Sequence, residues 1–328
     1  MDHSLSYLII GTGGTGGPLG CYLAKAGFPV TFIARGKQLA AMQKNGLRCE
    51  RPQDAFTINP MQACDMDTYA EAVRRGEVKR PDVIFVCVKG YSIDSTYDFI
   101  RAAAGPDTVV IPILNIYGTG GVMQEHLPGI LVTDGCIYVA ALIKEPGVIL
   151  MKGEIMRVIY GTREPLAGGR KNRYEPILKQ VEKDLNASGI LGVCSENIRR
   201  DALLKFSYVS PQGAVGLYYG VESGAIQREG KERESFRACI REIDDLAHAM
   251  GIRFTEDIVA RNLKILDDLA PNMTTSLQRD IAAGKQSEID GLIYGVVRMG
   301  DRYGIAMPEY RKIAAVLRQR YENERCNG

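Results

Sequence analysis

Six residues, Gly11-Thr12-Gly13-Gly14-Thr15-Gly16, follow the apolar run Tyr7-Leu8-Ile9-Ile10 and open a segment of helical composition. Glycines at the first, third and sixth positions suit three tasks at a phosphate site. Gly11 serves a tight turn, Gly13 lets the backbone approach a pyrophosphate, and Gly16 lets the helix pack closely on the strand. Amides at the positive end of that helix would face the negative charge. With 36 glycines in 328 residues such a spacing can arise by chance. The context gives it weight: a buried-looking strand before, a helix after, and a second apolar strand, Val30-Thr31-Phe32-Ile33, beyond. Thr12, Gly14 and Thr15 share the loop and count as candidate cofactor contacts. At the end of the second strand an NAD site usually carries Asp or Glu for the ribose hydroxyl, and an NADP site carries cations for the 2′-phosphate. No carboxylate occurs from Ala34 to Gln38, whereas Arg35 and Lys37 supply positive charge. The planar fork of Arg35 suits a phosphate, so NADP is the expected cofactor.

Further groups able to do chemistry stand at strand ends and on helices. Lys89 follows the apolar run ending at Val88, and Asn115 follows the run ending at Leu114; on a parallel sheet both would lie on the ligand-binding edge. Lys205, preceded by Leu203-Leu204 and followed by Phe206, is expected at the edge of an apolar wall, where partial desolvation favours a general acid. Ser276 and Glu288 flank Gly284, a break that would let them converge, although an N-cap and a surface carboxylate are the plainer readings of each alone.

The elements that must hold these groups fall into two kinds. The first part alternates strand and helix: Tyr7–Ile10, a helix around 20–27, Val30–Ile33, a helix at 37–45 closed by Gly46, and buried strands at 82–88 and 108–114 joined by a helical crossover at 91–104. Such alternation predicts a doubly wound parallel sheet of Rossmann type. Residues 136–142, 147–151 and 155–160 read as further strands around the Glu145-Pro146-Gly147 turn, and 168–173 as an exposed loop before a helix. Beyond about Ser195 only helical periodicity remains. A helix is expected at 197–206, and Phe236, Cys239, Ile240, Ile243, Leu246, Ala247 and Met250 lie on one face of another that stops at Gly251. The expected division is therefore an NADP-binding domain at 1–194 and an all-α substrate and catalytic domain at 195–328.

Composition narrows the function classes. A net charge of +2 with 24% charged residues gives no basic surface for nucleic acid, and the longest apolar runs are too short to span a bilayer. Met1-Asp2-His3-Ser4 leads into the first strand without a secretory pattern. The eight cysteines form no CxxC pair, so no metal site is expected, and reduced thiols fit a cytoplasmic location. The three histidines, His3, His126 and His248, lie apart from the residues above, which disfavours a His-dependent dehydrogenase.

Taken in order, the GxGxxG loop, Arg35, Val88-Lys89, Leu114-Asn115, Glu145-Pro146-Gly147, Lys205 and the Ser276-Leu277-Gln278-Arg279-Asp280 to Glu288-Ile289-Asp290 block make the chain resemble the ketopantoate reductases (2-dehydropantoate 2-reductases) over nearly its whole length. The resemblance implies a Rossmann domain followed by an all-α domain, and NADPH-dependent reduction of a 2-oxo acid, 2-dehydropantoate, to pantoate on the route to pantothenate and coenzyme A. It implies that Lys205 protonates the carbonyl oxygen, that Glu288 orients Lys205 and binds a substrate hydroxyl, that Ser276 holds the substrate carboxylate, and that Asn115 and Lys89 line the junction of cofactor and substrate. The chain departs from the family where Asn usually stands four and eight residues after the lysine. Val209 and Gly213 occupy those places, with Ser210 and Gln212 as replacement contacts after a change of register, or else with a different acid as substrate. A related NADP-dependent dehydrogenase and a non-catalytic NADP sensor are the alternatives, and a homodimer is compatible with the sequence.

Overall fold

The computed structural model describes residues 4–326, with side chains through Tyr321. The Met1-Asp2-His3 stretch and His3 itself lie outside the described residues. Two compact units emerge, one formed by 1–114 and 118–198, the other by 115–117 and 199–328.

In the first unit the chain runs β1 (Tyr7–Ile10), α1 (Gly16–Lys25), β2 (Val30–Ile33), α2 (Gly36–Asn45), β3 (Leu47–Glu50), β4 (Ala55–Ile58) and β5 (Gln62–Cys64). It continues through α3 (Met66–Arg74), β6 (Val83–Val86), α4 (Tyr97–Ala103), β7 (Val109–Pro112), α5 (Thr119–His126) and β8 (Leu131–Val132). The last part comprises β9 (Asp134–Tyr138), β10 (Ala141–Glu145), β11 (Val148–Met151), β12 (Arg157–Gly161), α6 (Gly168–Ala187) and β13 (Leu191–Cys194). A six-stranded sheet of order β5-β2-β1-β6-β7-β8 is parallel throughout. Its central strands are apolar at every position because each face has its own core. Tyr7, Ile9, Val83, Phe85, Val109 and Ile111 enter one cluster, while Leu8, Ile10, Ile84, Val86 and Val110 enter the other. This is the doubly wound Rossmann-type sheet expected from those runs.

Two smaller sheets, β10-β11-β3-β4 and β13-β12-β9, complete the unit. Here the expected elements need correction. The stretch 136–142 is two strands in two different sheets, separated at Val139-Ala140. Residues 168–173 form the exposed first turns of α6, since a run of Arg, Lys and Asn can be solvated on a helix as well as in a loop. Much of the crossover expected at 91–104 consists of two 3₁₀ turns, with α-helix only from Tyr97.

The second unit contains α7 (Ile198–Tyr219), α8 (Ser223–Gln227), α9 (Lys231–Ala249), α10 (Ile258–Asp267), α11 (Ser276–Ala282), a π-helical turn at Asp290–Tyr294, α12 (Gly295–Tyr303) and α13 (Pro308–Cys326). The apolar stripe of α9 is the centre of its core, with Phe236, Cys239, Ile240, Ile243, Leu246 and Ala247 all fully enclosed. Helix α7 extends well past the expected 197–206 and runs through Pro211. A proline cannot donate to the carbonyl four residues back. The orphaned Ser207 carbonyl accepts instead from the side-chain amide of buried Asn262 at 2.9 Å, which keeps the helix continuous. Among the described residues no helix is long and apolar enough to cross a membrane, and no cluster of His, Cys, Asp and Glu could hold a metal ion.

Candidate functional site

The glycine loop leaves β1 at Ile10 and delivers the chain into α1. Gly11 adopts φ +93°, a conformation that favours glycine. A Cβ on Gly16 would stand 2.1 Å from the Gly11 carbonyl oxygen and 2.8 Å from Cys87 Cβ, and one on Gly14 would stand 2.4 Å from the Ala141 carbonyl oxygen. Loop, helix and sheet thus meet at backbone distance. Gly13 differs, because a Cβ there would meet nothing within 4 Å. The loop therefore opens to free space at the residue where a pyrophosphate is expected to approach. Thr15 is the N-cap of α1 and its side chain does not cap the helix. In the first turn the Gly17 amide donates to the Gly13 carbonyl at 2.9 Å and Pro18 carries no N–H, so what suits an anion here is the positive end of the helix dipole rather than a full set of open amides. Thr12 is buried within the loop. These residues fit a dinucleotide phosphate.

Beyond β2, Arg35 is exposed in extended conformation as the N-cap of α2, with Gly36 at φ +57° and exposed Lys37 next. Gln38, which the sequence did not single out, ties this region together. Its Nε2 donates to the Thr12 carbonyl at 3.1 Å, and its Oε1 accepts from the Gly147 amide at 3.0 Å. Since a trans peptide points its N–H opposite to its C=O, fixing the Thr12 oxygen fixes where the Gly13 amide aims. The only available signal was position, three residues after Arg35 in the same turn. Lys89 is half-buried and precedes the 3₁₀ turn Gly90–Ser92. Cys87, beneath the loop, has its thiol pKa raised by burial and stays protonated at neutral pH.

In the second unit the structure joins two of the expected residues directly. Lys205 Nζ donates to Asn115 Oδ1 at 2.6 Å. Lys205 is 7% exposed, which is rare for a lysine, and a buried ammonium is tolerated only with hydrogen-bonding partners. An ammonium has three N–H donors, of which the amide oxygen engages one. Glu288 is 6% exposed and belongs to the turn before the π segment, where its carbonyl accepts from the Leu292 amide at 3.0 Å. It is therefore no surface carboxylate. Ser276 is half-buried as the first residue of α11. The N-cap is Thr275, in a capping box with Gln278, and Gly284 at φ +63° ends the segment.

Ser210 stands five residues after Lys205 on α7. It is fully buried, donates to the Leu292 carbonyl at 2.6 Å and bonds the Tyr310 hydroxyl at 2.6 Å. Gln212 donates to Ser223 Oγ at 3.2 Å, and Gly213 lies against Leu277 of α11. Ser210→Ala would leave the Leu292 carbonyl and the Tyr310 hydroxyl without this partner. It is expected to lower unfolding free energy by about 1–3 kcal/mol in urea titration, with KM for substrate unmoved. A raised KM at undiminished stability would place Ser210 at the substrate instead.

Two family profiles match the chain: Ketopantoate reductase PanE/ApbA over residues 7–164, and Ketopantoate reductase PanE/ApbA C terminal over 197–322. A 2-dehydropantoate 2-reductase of Mesorhizobium japonicum is 25% identical over 325 residues, covering 95% of this chain and 96% of the relative. Among solved structures, 2-dehydropantoate 2-reductase from Methylococcus capsulatus superposes with TM-score 0.82 at 24% identity, covering 96% of each chain. D-mandelate dehydrogenase in ternary complex with NADH and anilino(oxo)acetate superposes with TM-score 0.82 at 18% identity, covering 97% of this chain and 98% of that one. At these identities the two solved structures share the fold.

Proposed function

This chain belongs to the ketopantoate reductase PanE/ApbA family and is an oxidoreductase acting on CH–OH groups, and from that premise we propose that it reduces a 2-oxo acid with NADPH, converting 2-dehydropantoate to pantoate on the route to pantothenate. The observation that carries the reading is the buried Lys205 ammonium held on the Asn115 amide oxygen. A reduced nicotinamide, when bound, supplies hydride to the carbonyl carbon. Lys205 then holds at Nζ the proton that the developing alkoxide needs, and its charge favours that oxygen before transfer. Asn115 fixes the direction of the ammonium. Glu288 orients the lysine and takes a substrate hydroxyl, and Ser276 takes the carboxylate. In the first unit the loop Gly11 to Gly16 receives the pyrophosphate, Lys89 lines the nicotinamide end, and Arg35 reads the 2′-phosphate.

Val209 and Gly213, which carry no amide, favour a second reading in which the same chemistry serves another 2-oxo acid. A spectrophotometric screen of NADPH oxidation decides between them, with 2-dehydropantoate set beside other 2-oxo acids, including the aromatic one that corresponds to mandelate. Highest kcat/KM with 2-dehydropantoate is expected. Oxidation with none of the acids by a protein that still binds NADPH would replace the enzyme by a sensor.

The coenzyme reading has its own test. Because Arg35 is exposed, its contact belongs at the weak end of charge-assisted bonds, about 1.5 kcal/mol or roughly tenfold. Arg35→Ala is expected to weaken NADPH by that factor in fluorescence titration and to leave NADH unchanged. Equal affinities for the two coenzymes in the unaltered protein would contradict it.

A further inference from the structure

Gly291 opens onto Ile116. A Cβ built on Gly291 would stand 2.4 Å from Ile116 Cδ1, 2.7 Å from Cγ1 and 3.1 Å from Cγ2. Three carbons of one β-branched side chain therefore occupy the space that any other residue would need, and such a side chain has little rotamer freedom to withdraw. Ile116 is the chain neighbour of Asn115, the acceptor of the Lys205 ammonium. Gly291 belongs to the π-helical turn Asp290–Tyr294, which begins two residues after Glu288. That turn has little room to retreat. Ser210 and the Glu288 carbonyl hold Leu292 at both of its backbone polar groups. Leu292 and Ile293 are buried, and Asp290 is ion-paired with Arg298 at 2.7 Å, which holds its carboxyl below the usual range.

From this packing we infer that Gly291 and Ile116 form a size-matched pair that positions Asn115, and through it the Lys205 ammonium; both are positioning residues that touch no reacting atom. The catalytic consequence rests on the proposed reductase reading, while the geometry does not. A carbon at 2.4 Å must move by more than about 1 Å to reach van der Waals separation. Passed along the backbone to Asn115, such a shift stretches a 2.6 Å bond to about 3.6 Å, beyond hydrogen bonding.

The test compares Gly291→Ala, Ile116→Ala and the double variant by crystal structure, turnover with NADPH and a 2-oxo acid, and NADPH affinity. In Gly291→Ala the Nζ to Oδ1 separation is expected to exceed about 3.5 Å. Its kcat should fall by about tenfold to a hundredfold with NADPH affinity within about twofold, because a 1 Å misplacement costs that much. Adding Ile116→Ala should restore both the contact and most of the turnover. Should Gly291→Ala be insoluble, a folded double variant with the native contact supports the pairing equally. Ile116→Ala alone, which has no clash, should lose about threefold in kcat from the loosened Asn115. An unchanged contact in Gly291→Ala, or a double variant no better than that single one, overturns the inference; so does Ile116→Ala with native contact and native turnover. An unaltered protein inactive with every acid would remove the reductase reading and leave the crystallographic comparison to decide this one.

Discussion

Replacing Lys205 with alanine is expected to lower kcat by about 10²–10⁴-fold, the range that a positioned general acid supplies. In barrier terms this is about 3–5.5 kcal/mol. NADPH affinity should stay within about threefold of the unaltered protein, since the coenzyme reading assigns its phosphates to groups in the other unit. The argument starts from location. A lysine only 7% exposed, with its Nζ on the Asn115 amide oxygen, is rare, and burying such a group calls for a purpose. Lys205→Met separates shape from charge, because it preserves the apolar stem. If either variant turned over at the native rate, the lysine would be structural and the mechanism would need another proton donor.

The second large effect lies in the glycine loop and takes the form of a contrast. Gly16→Ala places a methyl 2.1 Å from the Gly11 oxygen and 2.9 Å from Ile9 Cγ2, so the loop or helix must move. Overpacking of this sort costs about 1–3 kcal/mol of stability, and coenzyme affinity should fall with it. Gly13→Ala meets no protein atom within 4 Å. Its melting temperature should match the unaltered protein, yet NADPH should bind at least about tenfold more weakly, a loss of about 1.4 kcal/mol, because the methyl enters the space assigned to the pyrophosphate. Calorimetry and titration on the pair separate fold from ligand. Native affinity in Gly13→Ala would move the phosphate site away from this loop.

Much of the first unit was legible because physics leaves such sheets little freedom. Strands buried on both faces must be apolar throughout, and β1, β6 and β7 read that way at a glance. Strands β3 and β4 were not legible. Leu47-Arg48-Cys49-Glu50 alternates over only four residues, and four residues of alternation fit a turn or a helix end as well. Strand β13 is short too and contains Gly192, which lies against Leu185 of α6. In the second unit, α9 was plain from its stripe, whereas the passage of α7 through Pro211 was not, because the compensating Asn262 lies far along the chain. At the candidate site, strand-end position and an apolar surrounding marked Asn115 and Lys205 separately. Their hydrogen bond spans 90 positions, and no local pattern encodes it. The π turn was equally hidden, since one inserted residue barely disturbs a helical period.

The strut formed by Gln38 bears on any redesign of coenzyme choice. Arg35, Lys37 and Gln38 share one helical turn, yet only the last reaches both the Thr12 carbonyl and the Gly147 amide. On the proposed reading of Arg35, substituting acids for the two cations would alter which ribose the entrance welcomes and leave the scaffold beneath it standing. Grafting the entire turn from an NAD-dependent enzyme removes that scaffold as well. Libraries aimed at NADH should therefore vary the cations and hold the glutamine constant, or an apparent failure of selectivity will be a loosened cradle instead.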